Sequence, residues 1–201
     1  MRQRTPQQNR AMHLYFGMLA RQLNSLGLDM RTVLKESVEL WWSKYMVRKY
    51  LTKPLLAQQG RDKLNQQGKV VAYRALVEFC EELGILEPFP PVSSAFNFAD
   101  FEQMVAERLN EAGFEMRKIL PNNIKLDWTT EYVKDYLWRP IQMLALGKDS
   151  TTDLATKEID QVYEILNRHL SEKFGKRGFE SVRFPSYEDL IVRNYAENKN
   201  I

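Results

Sequence analysis

The opening ten residues, MRQRTPQQNR, set Arg2, Arg4 and Arg10 beside Gln7, Gln8 and Asn9. Guanidinium forks match phosphate oxygens, and side-chain amides match base edges or sugar hydroxyls. A helix starting here would add its first amide N–H groups as donors to an anion. A second set of cations, Lys44, Arg48 and Lys53 with Lys49 alongside, falls at spacings that share one broad helix face. This chemistry suits binding of a polyanion, nucleic acid first among them. The competing reading is that these charges pair with nearby carboxylates or stay solvated, as exposed helix charges usually do.

Residues for bond-breaking chemistry are scarce. The chain has one cysteine and two histidines, and it lacks P-loop, GxGxxG, HExxH and GxSxG sequences. His13, between Met12 and Leu14, reads as a partly buried structural histidine, and His169 lies near a helix C-terminus, where a cation is favoured. Cys80 falls on an apolar helix face and reads as core. The acidic pairs Glu81–Glu82 and Asp100/Glu102 lack a matching histidine or third carboxylate. The sequence therefore assigns no catalytic residue, no metal and no cofactor; a metal-dependent nuclease is the remaining enzymatic alternative.

The elements that must hold these cations come in two copies. LNSLGLDMRTVL at Leu23 and LNEAGFEMRKIL at Leu109 lie 86 residues apart, and residues 23–54 share 12 identities with 109–140. Tyr73 and Leu76 then fall against Tyr163 and Leu166, and both halves finish on Phe-Pro, at Phe89-Pro90 and Phe184-Pro185. An internal duplication of about 90 residues follows, with a Pro/Ser-rich linker at 87–96. Residues 1–90 form the first, basic repeat, 91–186 the second, acidic repeat, and 187–201 a polar tail expected to fray.

The expected fold is mainly α: two tandem three-helix repeats packed as a pseudo-dimer, with helices of different halves against one another. The first helix starts at Thr5-Pro6-x-Gln8, a capping-box signal, and stops at Gly27; its counterpart starts near Asn97 or Asp100 and stops at Gly113. Val38-x-Leu40 and Ile124-x-Leu126 alternate like a small β element in each repeat. Ser43 and Thr129 cap the second helices, which run to Gly60 and Gly147 and each contain a proline, Pro54 or Pro140, predicting a kink or a two-segment helix. Trp42 and Trp128 are equivalent and read as core. Trp41 and Trp138 have no counterpart; each is a base-stacking platform or, as the favoured reading, a further core or interface aromatic.

Net charge is +3, but residues 1–76 carry 14 Lys+Arg against 4 Asp+Glu, and residues 77–201 carry 15 against 22. One end is thus expected to attract polyanions and the other not, unless the segregated charge is simply a solvated surface. Neither an apolar leader region nor a run of about 18 apolar residues is found in this sequence, so neither secretion nor a membrane partner is expected, and the expected location is cytoplasmic.

The segment RTPQQNRAMHLYFGMLARQL resembles the opening of the NinB (Orf) family of phage recombination proteins. That family begins its first helix with R-[ST]-x-x-Q-N-R, matched by Arg4, Thr5, Gln8, Asn9 and Arg10. A Ser-Thr segment leading into an acidic-apolar helix is similar as well: Ser150, Thr151 and Thr152, then Leu154 and Glu158-Ile159. The second half is also similar to small single-copy phage proteins of unassigned role, through WTTEYVKDYLWRPIQ, STTDLATKEIDQVYEILNRHLSEKFG and the closing FPS. The resemblance implies a non-enzymatic protein that binds single-stranded DNA, or the single-strand-binding protein coating it, and helps a recombinase or annealing protein to load. It also implies a homodimer, of which this duplication would be the fused equivalent, acting in the host cytoplasm.

The first half keeps RTxxQNR but has GRDKLNQQGK where the Ser-Thr segment belongs; the second keeps Ser150-Thr151-Thr152 but has SAFNFADFEQ in place of RTxxQNR. The two segments are therefore expected to form one composite site. The expected nucleic-acid contacts are Arg4, Gln8, Asn9, Arg10, Arg31, Lys44, Arg48 and Lys53. Contacts expected from the second repeat are Arg117, Lys134, Arg139, Ser150, Thr151 and Thr152. The alternative is a phage protein-interaction module, for instance an inhibitor of a host factor, whose basic lobe faces an acidic protein patch.

Overall fold

The computed structural model describes residues 5–61, 63–92, 96–186 and 189. Arg4 and most of the 187–201 tail lie outside the described residues. The chain is mainly helical. Helix α1 spans Pro6–Ser25 and opens on the expected capping box. The Thr5 hydroxyl accepts from the Gln8 N–H at 3.2 Å, and Gln8 Oε1 accepts from the Thr5 N–H at 3.0 Å. The chain leaves the helix through Gly27, whose φ of 66° is the left-handed conformation that glycine adopts without steric cost. Met12, Tyr15, Phe16, Leu19 and Leu23 form the buried stripe. Helix α6, Phe98–Glu111, repeats this pattern 86 residues on, with Asn97 as N-cap and Phe98, Phe101, Val105 and Leu109 buried.

Short helices follow each, α2 at Met30–Val33 and α7 at Met116–Ile119. The small β elements expected at 38–40 and 124–126 do not form; there is no strand among the described residues. The reason lies in what claims their backbone. The Leu126 N–H donates to Asp29 Oδ2 at 3.2 Å and its carbonyl accepts from the Met30 N–H at 2.8 Å. The Leu40 N–H donates to Glu115 Oε2 and its carbonyl accepts from the Met116 N–H, both at 2.8 Å. Each stretch docks on a helix start, which satisfies its polar groups without a ladder.

The second helices begin at the expected caps. Helix α3, Lys44–Val47, is capped by Ser43, and α8, Thr130–Val133, by Thr129. Both then widen into a π-helical turn, at Arg48–Thr52 and Lys134–Trp138, before α4 at Lys53–Gln58 and α9 at Arg139–Leu146. The Lys53 N–H reaches back five residues to the Arg48 carbonyl, and the Arg139 N–H does so to that of Lys134. A proline within an α-helix collides with the carbonyl four residues earlier. The wide turn draws that carbonyl aside, so Pro54 and Pro140 sit inside a continuous helical path. The third helices are α5, Gln66–Glu82, and α10, Thr156–Phe174.

The chain forms two compact units, which do not coincide with the sequence segments 1–90 and 91–186. One comprises residues 1–35 with 125–201, the other residues 36–124. The first thus joins α1 to α8, α9 and α10; the second joins α6 to α3, α4 and α5. Equivalent contacts hold each together. In the first unit Asn24 clasps the Trp128 backbone, its Oδ1 accepting from the N–H at 2.8 Å and its Nδ2 donating to the carbonyl at 3.0 Å. In the second, Asn110 clasps Trp42 the same way, at 2.8 and 2.9 Å. The Trp128 indole N–H donates to the Leu28 carbonyl and that of Trp42 to the Phe114 carbonyl, both at 2.7 Å. Tyr15 packs on Tyr163 and Phe184 in the first unit, as Phe101 packs on Tyr73 and Phe89 in the second.

This assembly corrects the expected charge lobes. Residues 1–35 and 125–201 together carry 18 Lys+Arg against 14 Asp+Glu, and residues 36–124 carry 11 against 12. Mixing segments from both halves cancels most of the asymmetry along the chain, so any electrostatic attraction is local. Among the described residues no helix is long and apolar enough to cross a membrane.

Candidate nucleic-acid interface

The expected contact residues divide between the units. Gln8, Asn9, Arg10, Arg31, Lys134, Arg139 and Ser150–Thr152 belong to the first; Lys44, Arg48, Lys53 and Arg117 belong to the second.

In the first unit the RTxxQNR segment and the region after the Ser-Thr segment meet. Gln8 Nε2 donates to Thr156 Oγ1 at 2.6 Å, while Gln8 Oε1 stays in the capping box. Seven residues on in each helix, Tyr15 meets Tyr163 with ring centroids 5.4 Å apart, so α1 and α10 run in parallel with both N-termini at one end. Gln8 carries this junction, and Arg10 does not share it. Two residues turn about 200° round a helix, and Arg10 is exposed.

Within the Ser-Thr segment Ser150 and Thr152 pair with each other. Ser150 accepts from the Thr152 N–H and lies 2.6 Å from its hydroxyl, and Thr151 is buried. Lys148 ties this loop to α10. Its ammonium contacts both Glu158 oxygens at 2.7 and 2.8 Å and the Asp153 carbonyl at 3.1 Å. Glu158 also accepts from the Ala155 N–H at 2.7 Å, and the hydrogen bond from Lys148, then that from Ala155, hold its carboxyl below the usual range. In the second unit GRDKLNQQGK builds a different helix start. Asn65 accepts from the Gly68 N–H at 2.9 Å, and the Lys63 carbonyl occupies the space that a Cβ on residue 68 would need.

The second unit holds the denser group of cations. Met46, Val47, Leu51, Thr52 and Leu56 are buried along the α3–π–α4 path, Lys44 and Lys53 are exposed, and Arg48 and Lys49 are half-buried. From Leu40 to Gln58 there are four cations and no carboxylate. Arg48 is engaged by fully buried Glu102: Nε contacts both carboxylate oxygens at 3.1 and 2.9 Å, Nη2 contacts Oε2, and Thr52 Oγ1 donates to Oε1 at 3.0 Å. The hydrogen bond to Glu102 raises the guanidinium pKa further, so Arg48 is a permanent cation with 43% of its side chain exposed.

Arg117 and Arg139 also make local contacts. Arg117 donates to the Glu36 and Val38 carbonyls at 2.9 and 2.6 Å. Arg139 pairs with Asp135 at 2.9 Å, and Lys134 is half-buried. Asp135 and Arg139 border a 440 Å³ surface pocket with Pro140, Met143, Asp149 and Ser150. Beside it Met143 and Leu144 are exposed, Leu144 at 90%.

Other expectations resolve clearly. His13 is exposed rather than partly buried, because it lies on the solvent side of α1 from Met12. Cys80 is core, and burial pushes its thiol up to about 11. Trp138 is fully buried, its indole N–H donating to Gln142 at 3.0 Å, so the core reading holds for it. Trp41 is 41% exposed and Tyr45 54%. No group of three His, Cys, Asp or Glu side chains able to hold a metal ion occurs among the described residues. Sequence reasoning missed the roles of Glu102 and Lys148. A lone glutamate on an apolar helix face was the available signal for the first; nothing local marked the second. No match to this chain is found among protein-family models, curated proteins or solved structures.

Proposed function

We propose that the protein is a non-enzymatic accessory factor of phage DNA recombination that binds single-stranded DNA, or the protein coating it, in the cytoplasm of the host. The observation that carries this reading is the 40–58 segment, where exposed Lys44 and Lys53 flank Arg48 and Lys49 with no carboxylate in the sequence between. Such a run attracts phosphate through local potential even though its unit is nearly neutral. The NinB-like segments support the same reading, since Gln8 joins the RTxxQNR helix to the start of the helix after the Ser-Thr loop. In this reading the chain is the fused form of a pair whose copies exchange their opening helices. The equivalent clasps of Asn24 on Trp128 and Asn110 on Trp42 support that reading.

A protein-interaction module is the second reading. It draws on exposed Met143 and Leu144 beside the pocket at Asp135 and Asp149.

The experiment is fluorescence anisotropy of labelled single-stranded and duplex oligonucleotides at low and moderate salt, with magnesium and chelator controls on a gel. Salt-sensitive binding of single strands without cleavage supports the first reading. Cleavage that a chelator abolishes makes it a nuclease, and no binding at low salt leaves the protein-partner reading.

A further inference from the structure

We propose that Trp41 and Tyr45 form a stacking subsite for unpaired nucleobases, with Lys44, Lys49 and Lys53 taking the adjoining phosphates. This inference rests on the reading of the protein as a single-strand binder and adds where and how the strand is held.

Residues 40–42 carry no regular secondary structure, and their burial alternates from one residue to the next. Leu40 and Trp42 are buried, and Trp42 anchors through its indole N–H to the Phe114 carbonyl. Trp41 stands exposed between them, and the core already has its tryptophan at the neighbouring position. Tyr45 follows in the first turn of α3, between exposed Lys44 and buried Met46. Two large aromatic side chains thus stand 41% and 54% exposed at the head of a carboxylate-free helical path.

The equivalent positions in the other unit show that the fold itself does not require these residues. Position 41 corresponds to Asp127, 45 to Glu131 and 49 to Asp135. Those helices have the same cap, the same wide turn and the same proline. One face is aromatic and cationic, and its counterpart carries carboxylates. Charge complementarity points to a polyanion, and exposed rings among cations point to a polyanion with unstacked π-faces. An unpaired strand supplies both, whereas the bases of a duplex are already stacked. At about 1.5 Å per residue, Lys44 to Lys53 covers roughly 13 Å, the length of a few nucleotides. Stacking reads no base edge, so the preference is for strandedness over sequence.

The test compares an intact single strand with one of equal length and charge bearing abasic sites, by anisotropy across a salt series. Wild type is expected to bind the intact strand about tenfold or more tightly than the abasic one. W41A and Y45A should each lose that preference while keeping the salt dependence, and W41F should restore most of it. K44A and K53A should instead flatten the salt dependence, by about 0.7 per lost phosphate contact. Equal affinity of wild type for intact and abasic strands would overturn the stacking subsite and leave the single-strand reading standing. So would intact-strand affinity unchanged in W41A and Y45A. Failure of wild type to bind any strand at low salt would overturn that reading, and the subsite with it. The abasic comparison needs no variant, so misfolding of a variant cannot decide the outcome.

Discussion

Residues 40–58 and 126–144 follow one backbone plan, each with a serine or threonine cap, a π turn and a proline. They differ in what they bury and in what they show to solvent. Under the first path lies the Arg48–Glu102–Thr52 network. At the matching positions of the other unit stand Lys134, Phe16 and Trp138, the two rings packed edge-on with centroids 5.3 Å apart. One scaffold thus accepts at the same place either a buried carboxylate paired with a half-exposed arginine or a buried aromatic pair. Outside, Trp41, Tyr45 and Lys49 stand where the other unit has Asp127, Glu131 and Asp135. The two paths share what sets the fold, and the proposed strand binding rests on the residues they do not share.

The comparison breaks most visibly at the buried positions. F16A or W138A should cost about 3–5 kcal/mol in urea unfolding, since a large ring leaves a cavity that its neighbours fill only in part. R48A strands the Glu102 carboxylate and should cost about 2–3 kcal/mol, below the usual figure for a buried pair because Arg48 is partly solvated. A loss in R48A as small as a surface substitution gives would remove the structural role assigned to Arg48.

Smaller and equal effects should come from the asparagine clasps. N24A and N110A each orphan one tryptophan N–H and one carbonyl, at a cost of about 1–3 kcal/mol. Similar losses in the two variants would sharpen the equivalence of the units, and a loss in only one would break it. Cys80, buried in the second unit with its thiol pushed up to about 11, supplies a local reporter. Thiol labelling at neutral pH should be slow in the native protein, and faster in N110A than in N24A.

The weakest effect concerns Glu158. Its folded carboxyl pKa lies below that of the unfolded chain, so its contribution is present above the ordinary glutamate range near 4.3 and is lost as pH falls through the lower folded value. Stability of E158Q against wild type should therefore converge at low pH. Because the site is solvent-accessible the difference at neutral pH should be small.

Much of the local structure was legible in the sequence. The Thr5–Gln8 box, the Ser43 and Thr129 caps, the Gly27 and Gly147 exits and the interruption at Pro54 and Pro140 are local signals, and the chain obeys them. The β alternation at 38–40 misled because apolar spacing does not reveal that Glu115 and Met116 take the Leu40 backbone. The charge lobes misled for a related reason. Composition along a chain says nothing about which segments share a unit. In the candidate interface the cations were legible as residues, but their commitments were not. Arg48, Arg117 and Arg139 resemble Lys44 and Lys53 until Glu102, the Val38 carbonyl and Asp135 appear beside them. The core reading favoured for Trp41 is corrected: it stands 41% exposed between buried Leu40 and Trp42, because the core at this point takes Trp42 instead.

On the proposed reading, residues 41–53 bind single strands and the matching residues 127–139 do not. The most direct measurement is photo-crosslinking of the full chain to a halogenated single-stranded oligonucleotide, with the modified peptides mapped by mass spectrometry. Crosslinks are expected at residues 41–53, centred on Trp41 and Tyr45, and none at 127–139. Crosslinks confined to 127–139, or spread equally over both segments, would contradict it.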